Sequence, residues 1–157
     1  MSDNEGNGTA AVTRISHTLT VNDPADPGQP RLTRDQVWAG LVAKARDPRP
    51  YLAVITECTV LAETPQGLLR EVVAQGERFR EEVEFDTGRR VAFRRTGPGA
   101  AWTILNVIGE DDSGALTLTF TGEFGYELDE PEAERARAGM VSGVTGTLAA
   151  IRRNSTA

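Results

Sequence analysis

Between Tyr51 and Leu128 the chain consists almost entirely of strand-forming runs separated by short glycine-containing turns, and it then changes to a helical pattern. That succession restricts the fold more than any other feature. The turns are Gln66-Gly67, Gln75-Gly76, Thr87-Gly88, Gly97-Pro98-Gly99 and Asp111-Asp112-Ser113-Gly114. They predict six strands at about 54–63, 68–74, 77–86, 90–96, 101–109 and 115–126. Connections this short favour sequential antiparallel hairpins. Ahead of them, Ile15, His17, Leu19 and Val21 alternate with Ser16, Thr18 and Thr20, which predicts one more strand with His17 on its buried face. The prolines of Asn22-Asp-Pro-Ala-Asp-Pro-Gly-Gln-Pro30 make a turn-rich linker. Thr33 and Gln36 have capping-box spacing, and Val37, Trp38, Leu41, Val42 and Ala45 recur at three and four, so a helix is expected to about Arg46, ended by Asp47-Pro48-Arg49-Pro50. A last helix begins at Asp129 as cap, with Pro131 and Glu132 in its first turn, and runs to about Arg153. A sheet that must bury one face on helices lying to one side is an α+β architecture.

The chain has 157 residues and is 39% apolar, enough for one well-buried core and too little for two. Residues 1–12 read as a disordered tail and residues 13–154 as a single domain. The formal charge of −6, without a Lys/Arg cluster, argues against nucleic acid or an anionic membrane as partner and for a neutral or apolar small molecule. Cys58 is the only cysteine, which excludes an intrachain disulfide, and its apolar surroundings in the sequence mark it as a packing residue. With one His and one Cys no metal site is expected, and no cofactor motif is present. Met1 to Ala11 lacks a basic and an apolar region, and no run approaches the ~20 apolar residues of a membrane span. A cytosolic protein is expected; nothing in the sequence sets its oligomeric state.

The second hairpin is informative. With Gln75-Gly76 as a two-residue loop, Ala74 faces Glu77, Val72 faces Phe79, Arg70 faces Glu81 and Leu68 faces Val83. Leu68, Val72, Phe79, Val83 and Phe85 then share the inner face, and Arg70 and Glu81 form an ion pair within it. Desolvating two ions costs several kcal/mol, so such a pair points to a polar anchor more than to stability. A longer loop at Gln75-Gly76 would slip the register by one residue and turn both charges to water.

The last helix carries Met140, Val144, Leu148 and Ile151 as one stripe beside a stripe of small residues, Ala136, Gly139, Gly143, Gly146 and Ala150. Each interior glycine costs about 1 kcal/mol relative to alanine, so missing side chains must bring a benefit, either close packing on the sheet or room for a ligand. His17, the only imidazole, serves either as a general base or as a hydrogen-bonded core residue. Phe93, Phe120 and Phe124 are expected as wall. Both faces of Trp102–Ile108 are partly apolar, which leaves the direction of Asn106 open, and the series Thr117, Thr119, Thr121, Glu123 reads as a solvated face.

Taken together, Ile15-Ser-His-Thr-Leu-Thr-Val-Asn22, Leu32-Thr-Arg-Asp-Gln-Val-Trp38, Ala45-Arg-Asp-Pro48, Leu69-Arg-Glu71, Arg80-Glu-Glu-Val83 and Leu116-Thr-Leu-Thr-Phe120 resemble the AtaL-like branch of the SRPBCC (START-like, helix-grip) superfamily over about residues 13–153. The resemblance implies a seven-stranded curved antiparallel sheet wrapped around a long C-terminal helix, with an internal hydrophobic cavity. Superfamily members include lipid and steroid carriers, hormone receptors and polyketide cyclases/aromatases, and the AtaL-like branch is linked to antibiotic biosynthesis clusters. Its interior is polar where Arg70 and Glu81 fall. The glycine-rich last helix departs from the larger residues usual there.

Two functions are therefore weighed. In the first, the protein is a polyketide cyclase/aromatase-like or isomerase enzyme of secondary metabolism acting on a polyketide-like or aromatic metabolite. Arg70 polarises an oxygen, Glu81 orients the guanidinium or exchanges a proton, and His17 is a second base. In the second, it is a carrier or sensor that leaves its hydrophobic ligand unchanged. Both place Leu68, Val72, Phe79 and Val83 on the ligand side of the sheet, with Phe93 and Phe120 as further wall and Met140, Gly143 and Val144 facing them from the helix.

Overall fold

The computed structural model describes residues 13–99 and 101–155; the tail predicted for residues 1–12 lies outside the described residues. In chain order the elements are β1 (Thr13–Thr20), α1 (Arg34–Arg46), β2 (Ile55–Thr64), β3 (Gly67–Ala74), β4 (Glu77–Asp86), β5 (Arg90–Thr96), β6 (Trp102–Glu110), β7 (Leu116–Phe124) and α2 (Glu130–Ser155). All seven strands form one antiparallel sheet in the order β1-β7-β6-β5-β4-β3-β2. The six hairpin strands therefore lie side by side in sequence order, and β1 closes onto the last of them.

Local chemistry accounts for the element ends. Thr33 Oγ1 accepts from the Gln36 amide at 3.1 Å while Gln36 Oε1 accepts from the Thr33 amide at 2.8 Å, a reciprocal cap for α1. Asp129 and Glu132 repeat the arrangement at the start of α2, with bonds of 2.8 and 2.9 Å. The β3–β4 turn places Gln75 at φ 52° and Gly76 at φ 81°, the left-handed pair that a tight two-residue hairpin needs. The resulting register pairs Ala74 with Glu77, Val72 with Phe79, Arg70 with Glu81 and Leu68 with Val83. The slipped alternative, with both charges in water, is thereby ruled out.

The β2–β3 ladder shifts register between Ile55 and Glu57 and again between Val60 and Ala62. Such bulges bend and twist a sheet edge. On the concave side α2 packs against β1 and β7, and α1 packs against β5, β6 and α2. Gly40 of α1 lies so near Ile151 of α2 that a β-carbon there would collide with that side chain. The core between these layers is formed by Val37, Leu41 and Ala45 of α1, Val91 and Leu118 of the sheet, and Val144, Leu148 and Ile151 of α2.

Two sequence readings are completed or corrected here. Asn106 pairs with Val91 and Phe120 and is fully buried, so β6 turns Trp102, Ile104, Asn106 and Ile108 inward. The threonine face of β7 is less solvated than its composition suggests. Thr117 and Thr121 are buried, and hydroxyl pairs Ser16–Thr121 at 2.8 Å and Thr18–Thr119 at 2.7 Å join it to β1. Neighbouring strands shield that face, and threonine satisfies its hydroxyl across the ladder.

Candidate functional site

Towards one end of the concave face the packing opens into a cavity of about 460 Å³. Its sheet wall includes Phe79, Phe93, Ile104 and Phe120; the segment Tyr51–Val54 covers one side; and α2 contributes Gly139, Met140, Ser142, Gly143 and Gly146. Lys44, Arg70 and Glu81 supply charge to this otherwise apolar enclosure. Val54, Gly139 and Ser142 are solvent-exposed, so the cavity reaches the surface between the Tyr51–Val54 segment and α2.

The ion pair follows from the hairpin register. Arg70 Nε and Nη2 donate to the same Glu81 oxygen, Oε1, at 2.9 and 2.7 Å, and both side chains are nearly inaccessible. Arg70 Nη1 donates to the carbonyls of Ala45 at 2.8 Å and Lys44 at 3.3 Å. Those are carbonyls of the last turn of α1, which lack intrahelical partners and favour a cation. Arg70 thus fastens α1 to the sheet as well as facing the cavity.

Lys44 was not anticipated as a site residue. It occupies the same stripe of α1 as Val37, Leu41 and Ala45, three residues after Leu41 and seven after Val37. Only 2% of it is exposed. Its Nζ donates to Asn106 Oδ1 at 2.7 Å and lies 4.3 Å from the centre of the Phe93 ring and 5.1 Å from that of Phe120. Arg70 lies against the Phe93 ring too, at 4.9 Å. Burial, reinforced by the Arg70 charge and opposed by Glu81, lowers the Lys44 pKa from 10.5 to about 7. Asn106 Nδ2 is buried without a partner among the described residues, an unmet donor beside the amine.

The glycines of α2 divide between the two explanations open to them. A β-carbon on Gly139 would meet nothing within 4 Å, on Gly143 it would touch the Phe120 ring at 3.3 Å, and on Gly146 it would press on the Tyr51 carbonyl oxygen at 3.3 Å. Gly139 therefore leaves room, and Gly146 permits close approach of the Tyr51–Val54 segment.

The model of the family described as "Acetylaranotin biosynthesis cluster protein L", AtaL, matches residues 17–156. The chain belongs to the AtaL family. No curated protein matches it in sequence. Among solved structures it is similar to the Zhui aromatase/cyclase of Streptomyces sp. R1128, at 18% identity and TM-score 0.61, with 92% of this chain and 93% of that one covered. It is also similar to the di-domain ARO/CYC StfQ of the steffimycin biosynthetic pathway, at 11% identity and TM-score 0.66, covering 91% of this chain and 50% of that one. A protein from Thermus thermophilus aligns at 17% identity and TM-score 0.58 over 90% of this chain and 96% of that one. At these identities the likeness establishes the helix-grip fold.

In this AtaL-family chain, the residues singled out from sequence separate into two groups. Arg70, Glu81, Phe79, Phe93, Phe120, Met140 and Gly143 all line the cavity. Leu68, Val83 and Val144 belong instead to the solid core, and Val72 is buried but does not line the cavity either. His17 shares the inner face with its partner Phe120 but does not line the cavity, and three strands separate β1 from β4. It is not brought together with Arg70 and Glu81. Among the described residues no group of three or more His, Cys, Asp or Glu is placed to hold a metal, and no helix is long and apolar enough to cross a membrane.

Proposed function

We propose that this AtaL-family protein takes a small, mostly apolar polyketide-like or aromatic metabolite into its cavity and promotes cyclisation, aromatisation or isomerisation there. The observation that carries the reading is the convergence of Lys44, Arg70 and Glu81 on one apolar enclosure of about 460 Å³. That volume lies within the usual range for small-molecule sites, and a few fixed polar groups among apolar walls are what orients a ligand. Charge developing on a ligand oxygen would be met by the guanidinium, and by Lys44 in its protonated form, among apolar walls, where such stabilisation exceeds that in bulk water. Glu81 uses only Oε1 to hold Arg70, so its other oxygen can take part in proton exchange. His17 has no part in this scheme. That aromatase/cyclases share the fold, and that the family is named for a biosynthesis cluster, agrees with it.

The test is turnover of a panel of poly-β-keto and polyphenolic compounds, followed by product analysis. Product formation that falls by at least ~100-fold in Glu81→Gln, with probe binding retained, is expected for the proton-exchange role. Turnover unchanged by both Glu81→Gln and Arg70→Leu would remove the pair from the chemistry.

A specific observation also supports a carrier or sensor. Arg70 already directs three nitrogens at Glu81 and at the end of α1, so the guanidinium is fully employed without any reaction. Native mass spectrometry of freshly purified protein separates the two readings. An unaltered metabolite recovered from the cavity, together with no turnover across the panel, favours carriage.

A further inference from the structure

Of the chain's 17 lysines and arginines, 16 are arginine and one is lysine, Lys44. The other basic residues carry guanidinium groups, which do not deprotonate in proteins; the one side-chain amine lines the cavity. We propose that Lys44 is a nucleophile that forms an imine with an aldehyde or ketone carbonyl of the bound molecule. This rests on the cavity being the ligand site, as argued above, and adds a covalent step and a functional-group requirement to it.

The surroundings of Nζ suit that step. Phe93 from β5 and Phe120 from β7 present their rings to it, and Asn106 from β6 accepts its hydrogen bond at 2.7 Å, aligning the amine. The charged groups acting on it are Arg70 from β3, which disfavours the ammonium, and Glu81 from β4, which favours it. A desolvated lysine beside a second cation is a recognised way of making a nucleophilic amine near neutral pH. With its pKa near 7, roughly half of the molecules hold a neutral amine at pH 7, against roughly one in three thousand for an ordinary lysine.

In the reaction, the nitrogen lone pair attacks the carbonyl carbon and the π electrons move to oxygen, which accepts one amine proton to give a carbinolamine. The C–O bond then breaks as the second amine proton is transferred to that oxygen. Water leaves and the C=N bond forms, so the balance is carbonyl plus amine to imine plus water. Protonation of the imine gives an iminium, which withdraws electrons from the neighbouring carbon and eases loss of its proton. A carbanion equivalent formed this way is what an intramolecular carbon–carbon closure requires.

The full chain is incubated with naphthaldehyde and sodium cyanoborohydride, which reduces an imine to a stable secondary amine, and the adduct is located by peptide mass mapping. Naphthylmethanol, of similar shape without the carbonyl, reports cavity binding independently. Expected are an adduct on Lys44, competition by naphthylmethanol, a labelling profile with its midpoint near pH 7, and a rate at pH 7 about 10–100-fold above that of Nα-acetyl-lysine. Lys44→Arg and Lys44→Met should leave only the N-terminal amine to react, and a cavity adduct that persists in either variant overturns the assignment to Lys44. Naphthylmethanol bound while Lys44 stays unlabelled overturns the imine and spares the cavity reading. Failure of both probes to bind overturns the cavity reading and the imine with it.

Discussion

Replacing Lys44 by methionine keeps the length and flexibility of the side chain and removes the ammonium, which makes the energetic effect of burying that group measurable. The fall in pKa from 10.5 to about 7 means that, between these values, the unfolded chain holds a proton on Lys44 that the folded protein has released. Stability therefore rises with pH across this interval, because the unfolded state binds more protons. Below pH 7 both states are protonated and the full penalty applies, on the order of 4–5 kcal/mol at 1.36 kcal/mol per pH unit. Between pH 6 and pH 9 the wild type should gain about 2–3 kcal/mol relative to Lys44→Met, with other titrating groups common to both proteins. Urea unfolding at closely spaced pH values is the assay. At a slope near 2 kcal/mol per molar urea, the gap between the two midpoints should change by more than about 1 M. A difference between wild type and variant that stays constant from pH 6 to pH 9 would refute the claim that the folded protein holds this amine neutral.

Arg70→Leu and Glu81→Leu should each destabilise by about 3–5 kcal/mol, because either leaves one buried charge unpaired, and the double variant should cost clearly less than their sum; a double-mutant cycle in urea measures the coupling. Gly139→Ala should raise stability by up to about 1 kcal/mol, since its β-carbon meets open space, while Gly146→Ala should gain little against the Tyr51 carbonyl; thermal unfolding compares them. Gly143→Leu should fold and yet lose naphthylmethanol binding, because its β-carbon already abuts Phe120 and the remaining atoms must extend into the cavity. Thr33→Ala should cost about 1 kcal/mol through loss of the α1 cap, read from the urea midpoint.

The fold was largely legible because its signals are local. Hairpin turns, period-two runs, the Thr33/Gln36 capping box and the Asp129 cap each set an element without knowledge of distant contacts, and the Gln75-Gly76 turn fixed which charges face each other. The site was harder. Strand order is a tertiary fact, so nothing in the run Ile15–Val21 showed that three strands would lie between His17 and the strand of Glu81. β6 is apolar on both sides, and its pairing with β5 and β7 decides that Asn106 points inward. Lys44 could have been found, since a lysine three residues after Leu41 interrupts the buried stripe of α1, and its uniqueness was visible by counting. A single charge in an amphipathic helix ordinarily belongs to the wet face, so the sequence alone does not set Lys44 apart as buried.

Arg70 holds the backbone of the very residue whose amine it polarises, since one of its bonds ends on the Lys44 carbonyl and another on that of Ala45. The tether joins the helix bearing the amine to the strands bearing the carboxylate, so geometry and electrostatics at this spot cannot be altered separately through Arg70. An activity lost on trimming the guanidinium would accordingly report a displaced helix end as readily as a missing charge, whereas changes at Glu81 or at the tip of Lys44 leave both helix carbonyls held by Arg70 and act on the chemistry more directly.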